Sequence, residues 1–500
     1  MPNQTFKTPI IQIKDWGAGA FLNDKMGRKN GFEIGNRCDF GSKPGYIAPG
    51  YAWKKVQFNA ADDMPTRFDK ILHLTNGEVY FGGQDAKIYK LSGLNEIVLA
   101  RTSEQVGTIR DMVEYKKYLI YSQTTTIGRY GDLTGTPAWT DNWQTGLENV
   151  AFHPILVSAD DEVYIGNRNK LDRWDGTTYS SGVMEIGDDG WIIRCLEDFG
   201  EQFIAIGASY QKTAGQSLKA KIFLWDREII RWNDEIPIPE RDIKAMKLVS
   251  GYLWVWAGRS CNLYVVPLNS RVATKMLTFV KEEPYGELEV YPNSIVERGG
   301  IVHFALSKVG ASSKDKNPCG VYSFPADPTR WSLNMPFTTY FDGLGFKERL
   351  HSLGIFRGSV DTVGDIMFLS YWDTENNKQY LFRELLAEAD ASPYKEEAVI
   401  QSFAYDMPSD REGYIKDFII RMLPFPSGGN MSLLYEKNRD GNWLSIIDNF
   451  STAGKVEIKK EKVIRFDSLK LRLKLRGSLT DLNRPFVKSI VGRGAVILKP

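Results

Sequence analysis

Histidine and cysteine are scarce in this chain, and the few residues of each kind are widely separated. They are His73, His153, His303, His351, Cys38, Cys195, Cys261 and Cys319. Their spacing matches neither the CxxC pairs of zinc sites nor the HxH and HExxH patterns of metal or catalytic sites. We therefore predict no metal, no cofactor and no disulfide framework. The cysteines are expected to be reduced and buried, and the histidines to be hydrogen-bonded core or near-axis residues.

Motifs for nucleotide binding or nucleophilic catalysis are also missing, since the chain has no P-loop, no GxGxxG after a strand and no GxSxG. Three acidic pairs, Asp62-Asp63, Asp160-Asp161 and Asp188-Asp189, would suit the two-carboxylate chemistry of a glycosidase. Each pair stands in a turn context, where an Asp side chain bonds its own backbone. We predict no catalytic residues and interpret the protein as a non-enzyme, with a glycan-cleaving propeller enzyme as an alternative.

The chain lacks a charge excess and long apolar runs. Lys and Arg number 63 against 62 Asp and Glu, a formal net charge of +1. This balance argues against a dedicated nucleic-acid binder, which needs a basic surface to neutralise phosphates. No run approaches the ~20 apolar residues of a membrane helix, and the N-terminus does not read as a secretory signal. We expect a soluble protein made in a cytoplasm, without membrane insertion.

What the sequence does have is a repeated strand pattern, clearest in residues 152–176. This stretch reads as three short strands separated by polar turns at Asp160-Asp161 and Asn167-Arg168-Asn169. Period-two alternation buries one face of a strand, and Asp, Asn and Gly favour turns, so the pattern predicts an antiparallel meander. Because such a unit cannot bury its apolar faces alone, repetition is expected.

The meander recurs about seven times, at spacings of about 40 to 60 residues, close to the length of a four-stranded propeller blade. The leading apolar residues are Leu72, Met112, Ile155, Ile193, Met246, Ile295 and Leu353. Polar insertions at 211–218 and 308–318 are interpreted as surface loops. We predict an all-β chain with a β-propeller of about seven blades over residues 60–386, while six or eight blades stay open.

Two further regions flank the predicted propeller. Residues 1–59 are punctuated by Gly and Pro yet rich in aromatics, which predicts an extended arm that packs on its own body or on a neighbouring subunit. Its candidate oligomer contacts are Trp16, Phe21, Phe32, Phe40, Tyr46, Tyr51 and Trp53. Residues 387–395 read as a linker, and several short strands over 396–500 predict a β-sandwich.

Tryptophans in the blades allow a second interpretation, since exposed aromatic rings can stack on sugars. The candidates are Trp143, Trp174, Trp191, Trp225, Trp232, Trp254 and Trp256. Regularly placed Trp in blades is more typical of packing between sheets. A carbohydrate-binding adsorption module is kept as an alternative function.

The two flanking regions resemble parts of tailed-bacteriophage virion proteins. Residues 15–19, followed by 35–46 with the Lys43-Pro44-Gly45 turn, are similar to the opening of many such proteins just before a propeller. Tyr435, residues 440–443 and residues 469–475, ending in 485–487, are similar to the sandwich that often follows.

This resemblance implies a structural protein of the virion tail, assembled in the host cytoplasm. It implies a homo-oligomeric ring at a tail nozzle, tip or adsorption apparatus that contributes to tail assembly, host attachment or DNA passage. The implied partners are other tail proteins and a host-surface glycan, with DNA only in transit through a lumen.

Overall fold

The computed structural model describes residues 8–13, 32–36, 38–39, 46–50, 52–58, 67–105, 107–213, 216–279, 287–309, 320–328, 334–338, 348–356, 365–373, 378–384, 397–402, 404–478 and 483–498. Over these residues the fold is all-β, as predicted. Within these ranges, no helix is both long and apolar enough to cross a membrane.

The chain divides into two compact units. One contains residues 55–319 and 343–383 and is called the propeller unit; the other contains 1–54, 320–342 and 384–500 and is called the sandwich unit. The sequence-based division into 1–59, 60–386, 387–395 and 396–500 is strictly sequential. The structure instead groups the N-terminal segment with the C-terminal strands.

The strands follow one another in chain order. Before the first blade come β1 Thr8–Ile13, β2 Phe32–Asn36, β3 Cys38–Asp39, β4 Ala48–Pro49 and β5 Trp53–Phe58. Blades one to three comprise β6 Phe68–His73, β7 Val79–Gly83, β8 Lys87–Ser92, β9 Glu96–Thr102, β10 Asp111–Tyr115, β11 Tyr118–Ser122, β12 Thr126–Gly131, β13 Ala138–Thr145, β14 Ile155–Val157, β15 Val163–Asn167, β16 Lys170–Trp174 and β17 Tyr179–Glu185. Blades four and five comprise β18 Trp191–Phe199, β19 Phe203–Thr213, β20 Gln216–Trp225, β21 Asp234–Ile238, β22 Ile243–Val249, β23 Tyr252–Ala257, β24 Asn262–Pro267 and β25 Thr274–Leu277.

The sixth and seventh blades and the sandwich follow. Their strands are β26 Glu287–Glu289, β27 Ile295–Arg298, β28 Ile301–Val309, β29 Gly320–Pro325, β30 Asn334–Thr338, β31 Glu348–Phe356, β32 Ile366–Asp373, β33 Lys378–Glu384, β34 Ala398–Ser402, β35 Tyr405–Asp406, β36 Arg411–Met422, β37 Asn430–Lys437, β38 Trp443–Phe450, β39 Glu457–Phe466, β40 Ser468–Arg476 and β41 Val487–Leu498. A 3-10 turn at Pro292–Ser294 precedes β27.

Seven inner strands, β6, β10, β14, β18, β22, β27 and β31, begin the seven blades. Each contains one of the predicted leading apolar residues, and strands from all seven blades line one axial cavity. Blades one to five are antiparallel sheets of four strands in sequence order. The predicted β-propeller is therefore confirmed.

The interpretation of residues 211–218 as a surface loop is wrong. β19 continues to Thr213 and β20 starts at Gln216, so the segment is a long hairpin. Leu218 and Lys219 are exposed. A hairpin whose side chains are solvated does not need apolar alternation, and the sequence therefore lacks the usual strand signal there.

The ring closes where the seventh blade meets the first. Residues 55–58 of β5 lie between β33 and β9, so a strand from before the first blade joins the two sheets. Arg383 of β33 is buried and donates hydrogen bonds to the Leu94 carbonyl at 2.9 Å and to Asn95 Oδ1 at 2.7 Å. Closure of this kind covers edges that would otherwise be open.

Replacing Arg383 by Met should lower the free energy of unfolding by about 1.5–3 kcal/mol, because it removes the charge-assisted hydrogen bonds that this buried guanidinium donates to Leu94 and Asn95 at the closure. Urea unfolding followed by tryptophan fluorescence measures the loss. Arg421→Met is the matched control: its side chain is 60% exposed and pairs with Glu457, so a change below about 1 kcal/mol is expected. Equal losses in the two variants would contradict the closure role.

Four buried serines on second strands bond the inner strand of the next blade. They are Ser122, Ser209, Ser307 and Ser370. Ser209 Oγ accepts the Ile243 amide hydrogen at 3.0 Å. Ser307 Oγ accepts from the Leu350 amide at 2.7 Å and donates to the Leu350 carbonyl at 2.8 Å. These hydroxyls satisfy backbone groups at or just before the start of four inner strands, β6, β14, β22 and β31, and hold each against its neighbour.

The sandwich unit contains two sheets built from both ends of the chain. One has the order β1-β41-β36-β39; the other has the order β2-β34-β40-β37-β38, with β35 against β40. Ile11, Ile13, Cys38 and Ile47 are buried in the same core as Phe418 and many C-terminal residues. Where it is described, the N-terminal segment up to residue 54 is thus an integral part of the sandwich.

A charged network covers the outer face of the first sandwich sheet. The Asp417 carboxylate accepts two hydrogen bonds from Arg493, both of 2.6 Å, and lies 3.9 Å from Lys459 Nζ. The hydrogen bonds from Arg493 lower the pKa of Asp417 below its usual value, although burial opposes them.

Because this pKa is lowered on folding, Asp417 stabilises the fold above its unfolded pKa of about 3.9 and loses that effect as the pH falls through its folded pKa. Asp417→Asn should therefore reduce the free energy of unfolding by about 1.5–3 kcal/mol at pH 7, and the difference should shrink below about pH 4. Urea titrations at pH 7, 5 and 3 measure it. Asp410→Asn is the control, since Asp410 is 64% exposed; a difference that persists at pH 3 would contradict the role of this carboxylate.

Candidate functional site on the propeller axis

Four of the inner strands carry an irregularity at the same point, near their N-terminal ends. The pairing with the second strand shifts register at Asp69, Arg194, Lys244 and His351. A β-bulge of this kind re-aims a side chain and is frequent next to functional sites. Here the re-aimed side chains line a common cavity on the propeller axis.

This cavity has a volume of about 200 Å³ and receives residues from all seven blades. The three blades without the irregularity contribute residues that stand just before their inner strands. In blade order the seven are Asp69, Arg110, Phe152, Arg194, Lys244, Asn293 and His351, and Asp242, Glu289 and Tyr291 complete most of the lining. We call this space the axial mouth.

The first charged group at the axial mouth is built around Asp69. Arg67 Nη2 donates to Asp69 Oδ2 at 2.6 Å, and Arg110 Nη1 lies 3.6 Å from the same oxygen. Burial lowers the pKa of Arg110. Burial acts in the same direction on Arg67, but the attraction and hydrogen bond of Asp69 outweigh it and raise its pKa. One carboxylate therefore serves two guanidinium groups.

Lys244 is paired more completely. Its Nζ lies 2.8 Å from Asp242 Oδ2 and 2.5 Å from Glu287 Oε1. Burial lowers the pKa of this ammonium, but the attraction of Asp242 and Glu289 and the two hydrogen bonds raise it overall. Lys244 is thus a fixed positive charge at neutral pH.

Arg194 differs from the other cations at the axial mouth. Among the residues that the structure describes, its guanidinium has no hydrogen-bond partner and no carboxylate within 4.0 Å. Burial lowers the pKa of Arg194, and the more distant Asp242 and Glu289 do not offset this. Glu289, on the same wall, likewise has no ion pair within the described ranges. Among the described residues, the axial mouth therefore holds one cation, Arg194, and one carboxylate, Glu289, without a direct ion pair.

A larger cavity of about 460 Å³ continues along the axis. Its walls are largely the apolar faces of the inner strands, and ion pairs between adjacent blades join them. Lys70 Nζ lies 2.8 Å from Asp111 Oδ1, and Lys247 Nζ lies 2.9 Å from Glu197 Oε1. These pairs hold neighbouring inner strands together.

The histidines lie where the sequence places them, in the core or near the axis. His153 is buried, and its two ring nitrogens lie 2.8 Å from the Gly166 carbonyl and 3.0 Å from the Thr124 carbonyl. His351 belongs to the axial mouth and packs against Tyr291. His303 is buried, and His73 packs on Phe356.

The acidic pairs are turn residues, as predicted, where they are described. Asp160 and Asp161 form the turn between β14 and β15, with Asp161 at φ 61°, and Asp188-Asp189 form the turn before β18. Asp62-Asp63 lies outside the described residues. Asp160 is also held 3.1 Å from Arg227 Nε.

The blade tryptophans pack between sheets, as predicted. Trp174, Trp191, Trp225, Trp254 and Trp256 are buried. Trp143 packs on Trp174 with ring centroids 4.6 Å apart, and Trp232 packs on Phe223 at 5.0 Å.

Cys38, Cys195 and Cys261 are buried thiols that are not disulfide-bonded, and burial raises the pKa of Cys195 and Cys261. Cys319 lies outside the described residues. Over the described ranges, no group of three or more His, Cys, Asp or Glu side chains could hold a metal ion.

Most of the predicted oligomer contacts lie outside the described residues. Trp16, Phe21, Phe40 and Tyr51 are not among the described residues, and Phe32 starts β2. Tyr46 and Trp53 are half-buried. Their role in subunit contact stays a prediction.

Sequence reasoning missed the axial mouth. The available signal was a charged residue near the beginning of otherwise apolar inner strands, as in FDKILH, WIIRCLEDF and IKAMKLV. A single charged residue near the start of a strand is typical of a side chain that faces solvent. Only ring closure shows that these positions meet.

No protein-family model matches the chain, and no curated protein matches its sequence. Solved structures do match. A catalytically inactive virginiamycin B lyase from Staphylococcus aureus has a TM-score of 0.46 and 11% identity, covering 67% of this chain and 99% of that chain. The WD40 domain of Neurospora crassa Pan2 has a TM-score of 0.43 and 10% identity, covering 66% and 95%. The computationally designed Ika8 protein has a TM-score of 0.40 and 11% identity, covering 65% and 89%. These likenesses bear on the propeller fold alone.

Asp69→Asn should lower the free energy of unfolding by about 3–5 kcal/mol, because it leaves the partly buried Arg67 and Arg110 without their shared anion. Urea unfolding at pH 7 measures this loss. Asp161→Asn is the control in the same unit: its side chain is 71% exposed and pairs with an exposed lysine, so a change below about 1 kcal/mol is expected. A loss at Asp69 no larger than the control would show that the axial ion pairs are not structural.

Proposed function

We propose that this protein is a non-enzymatic structural subunit of a bacteriophage tail that assembles into a homo-oligomeric ring. In this proposal it contributes to tail assembly, host attachment or DNA passage, together with other tail proteins. The proposal starts from the resemblance of residues 15–19, 35–46 and the C-terminal strands to virion proteins.

One observation carries the proposal: the described parts of the 35–46 segment and of the C-terminal segments that bear the resemblance come together in the sandwich unit, while residues 15–19 lie outside the described residues. β2, which ends inside the 35–46 segment, pairs with β34, β34 with β40, and β40 with β37, which holds Tyr435. Ile47 pairs with Val487 through two backbone hydrogen bonds of 2.9 Å. The two ends of the chain that bear the resemblance thus contribute strands to one sheet, which supports treating them as parts of one module.

A structural role is also consistent with the chemistry of the larger axial cavity. Four of its ionisable groups form ion pairs that bridge neighbouring blades, Lys70 with Asp111 and Lys247 with Glu197. Charges used in this way fix the blades relative to one another.

DNA passage in this proposal occurs through the lumen of the ring. The larger axial cavity measures about 460 Å³, within the range of small-ligand pockets. Duplex DNA, whose major groove alone is about 12 Å wide, does not fit such a space. We therefore propose the ring lumen, rather than the propeller axis, as the conduit.

Two pairs of exposed apolar side chains are candidates for subunit contacts. Ile229 and Ile230 are 48% and 68% exposed in the propeller unit, and Val456 and Val463 are 53% and 62% exposed in the sandwich unit. Burial of such side chains against a partner subunit would stabilise the ring.

The full chain should form a closed ring, measured by light scattering coupled to size exclusion and by negative-stain images. The double variants Ile229→Asp with Ile230→Asp, and Val456→Asp with Val463→Asp, carry the same added charge at exposed sites. One of them should dissociate the ring while leaving the thermal unfolding temperature within a few degrees.

Each double variant is the control for the other. A ring that survives both would place the contacts on other residues, such as Trp16 and Phe21. A chain that stays monomeric at tens of micromolar and above would overturn the ring proposal.

A further inference from the structure

We propose that the axial mouth binds one acidic sugar unit, a monosaccharide that carries a carboxylate or a phosphate group. This is a ligand-binding activity beyond the structural role proposed above, and it does not depend on ring assembly. It rests on the residues that the seven blades bring to one cavity.

The first argument is the state of the guanidinium groups. Arg194 is turned into the cavity by the register shift in β18 and has no partner within 4.0 Å among the described residues. Arg110 approaches Asp69 only to 3.6 Å, and that carboxylate is already held by Arg67. Guanidinium groups match carboxylate and phosphate oxygens in paired hydrogen bonds. An incoming oxyanion would supply the missing partner.

The acidic residues limit what this ligand can be. Asp242 is engaged with Lys244, whereas Glu289 lines the cavity without an ion pair in the described part of the chain. A bare anion would be repelled by Glu289. A ligand with hydroxyl donors at its other end would instead donate to this carboxylate, as sugars can.

Shape and size point to the same class. Phe152 and Tyr291 add aromatic rings to the lining, and such rings can pack against the C–H groups of a sugar. The volume of about 200 Å³ lies below the usual range for drug-sized ligands, which limits the occupant to a single small unit. Arg110 is 33% exposed, so the axial mouth is reached from solvent.

The larger cavity deeper on the axis serves as an internal comparison. It is roomier, but Lys70, Asp111, Glu197 and Lys247 are all engaged in ion pairs. Binding an anion there would require breaking one of those pairs. The site of binding is therefore the axial mouth.

Isothermal titration of the full chain with glucuronate, glucose 6-phosphate and glucose tests the proposal. At least one of the two acidic sugars should bind, and glucose should bind at least about tenfold more weakly because it lacks the charge-assisted bonds. Binding of glucuronate alone identifies a sugar carboxylate as the ligand group, and binding of glucose 6-phosphate alone identifies a phosphate. Equal affinity for the two acidic sugars indicates that the site recognises the oxyanion that they share. Each of these three results supports the proposed site.

Arg194→Gln should lower the affinity for whichever acidic sugar binds by about 10- to 100-fold. Arg241→Gln is the charge-matched control, because Arg241 is exposed and lies outside the cavity lining. If direct contact, and not overall charge, determines the affinity, this variant should bind within about twofold of wild type. Arg194→Lys keeps the charge without the fork geometry and should bind with intermediate affinity. Thermal unfolding of each variant establishes whether it is folded. If the glutamine variant is unfolded, the affinity of the lysine variant is the test.

Two results would overturn the proposal. One is the absence of heat for both acidic sugars with the wild-type chain at millimolar concentration. The other is wild-type affinity in the folded Arg194 variants, which would place any binding elsewhere on the surface.

Discussion

A four-stranded sheet has two faces to cover, and this requirement explains most of the propeller unit. Each blade covers the face of the next, so the first and last blades depend on each other. Residues 55–58 of β5 and the buried Arg383 meet that demand at the closure. Serines such as Ser209 and Ser307 satisfy the backbone groups that face the neighbouring blade. Without closure, every blade would lose part of its burial.

Closure has a second consequence, because it brings the beginnings of seven inner strands to one axis. Charged residues far apart in the chain then share a small volume. Most find partners, and the ion pairs join adjacent blades. Within the described part of the chain, Arg194 and Glu289 have no direct ion pair, and register shifts in four strands direct side chains to the same place. The proposed structural role is argued from strand pairing in the sandwich unit. The proposed ligand site is argued from Arg194 and Glu289, which have no direct ion pair among the described residues.

The inner strands were predictable because their apolar faces are buried in every blade. Outer strands such as β13 and β21 were not identified from the sequence, since they alternate weakly at the exposed edge of a blade. β39 shows the same effect in the sandwich, where the strand runs through EIKKEKVIRF. It is an edge strand whose lysines and glutamates face solvent, so its backbone pairing leaves little trace in hydropathy.

The sequence by itself determined the local features of this protein: the turns at Asp160-Asp161, the alternating inner strands and the repeat that makes a propeller. Only the tertiary structure decided that N-terminal strands complete the C-terminal sandwich, as where Cys38 Sγ approaches the Val399 carbonyl, 361 residues away. It also decided which charges meet at the axis. The physical reason is that turn and strand preferences act over a few residues, whereas strand pairing between distant segments uses backbone groups common to all residues.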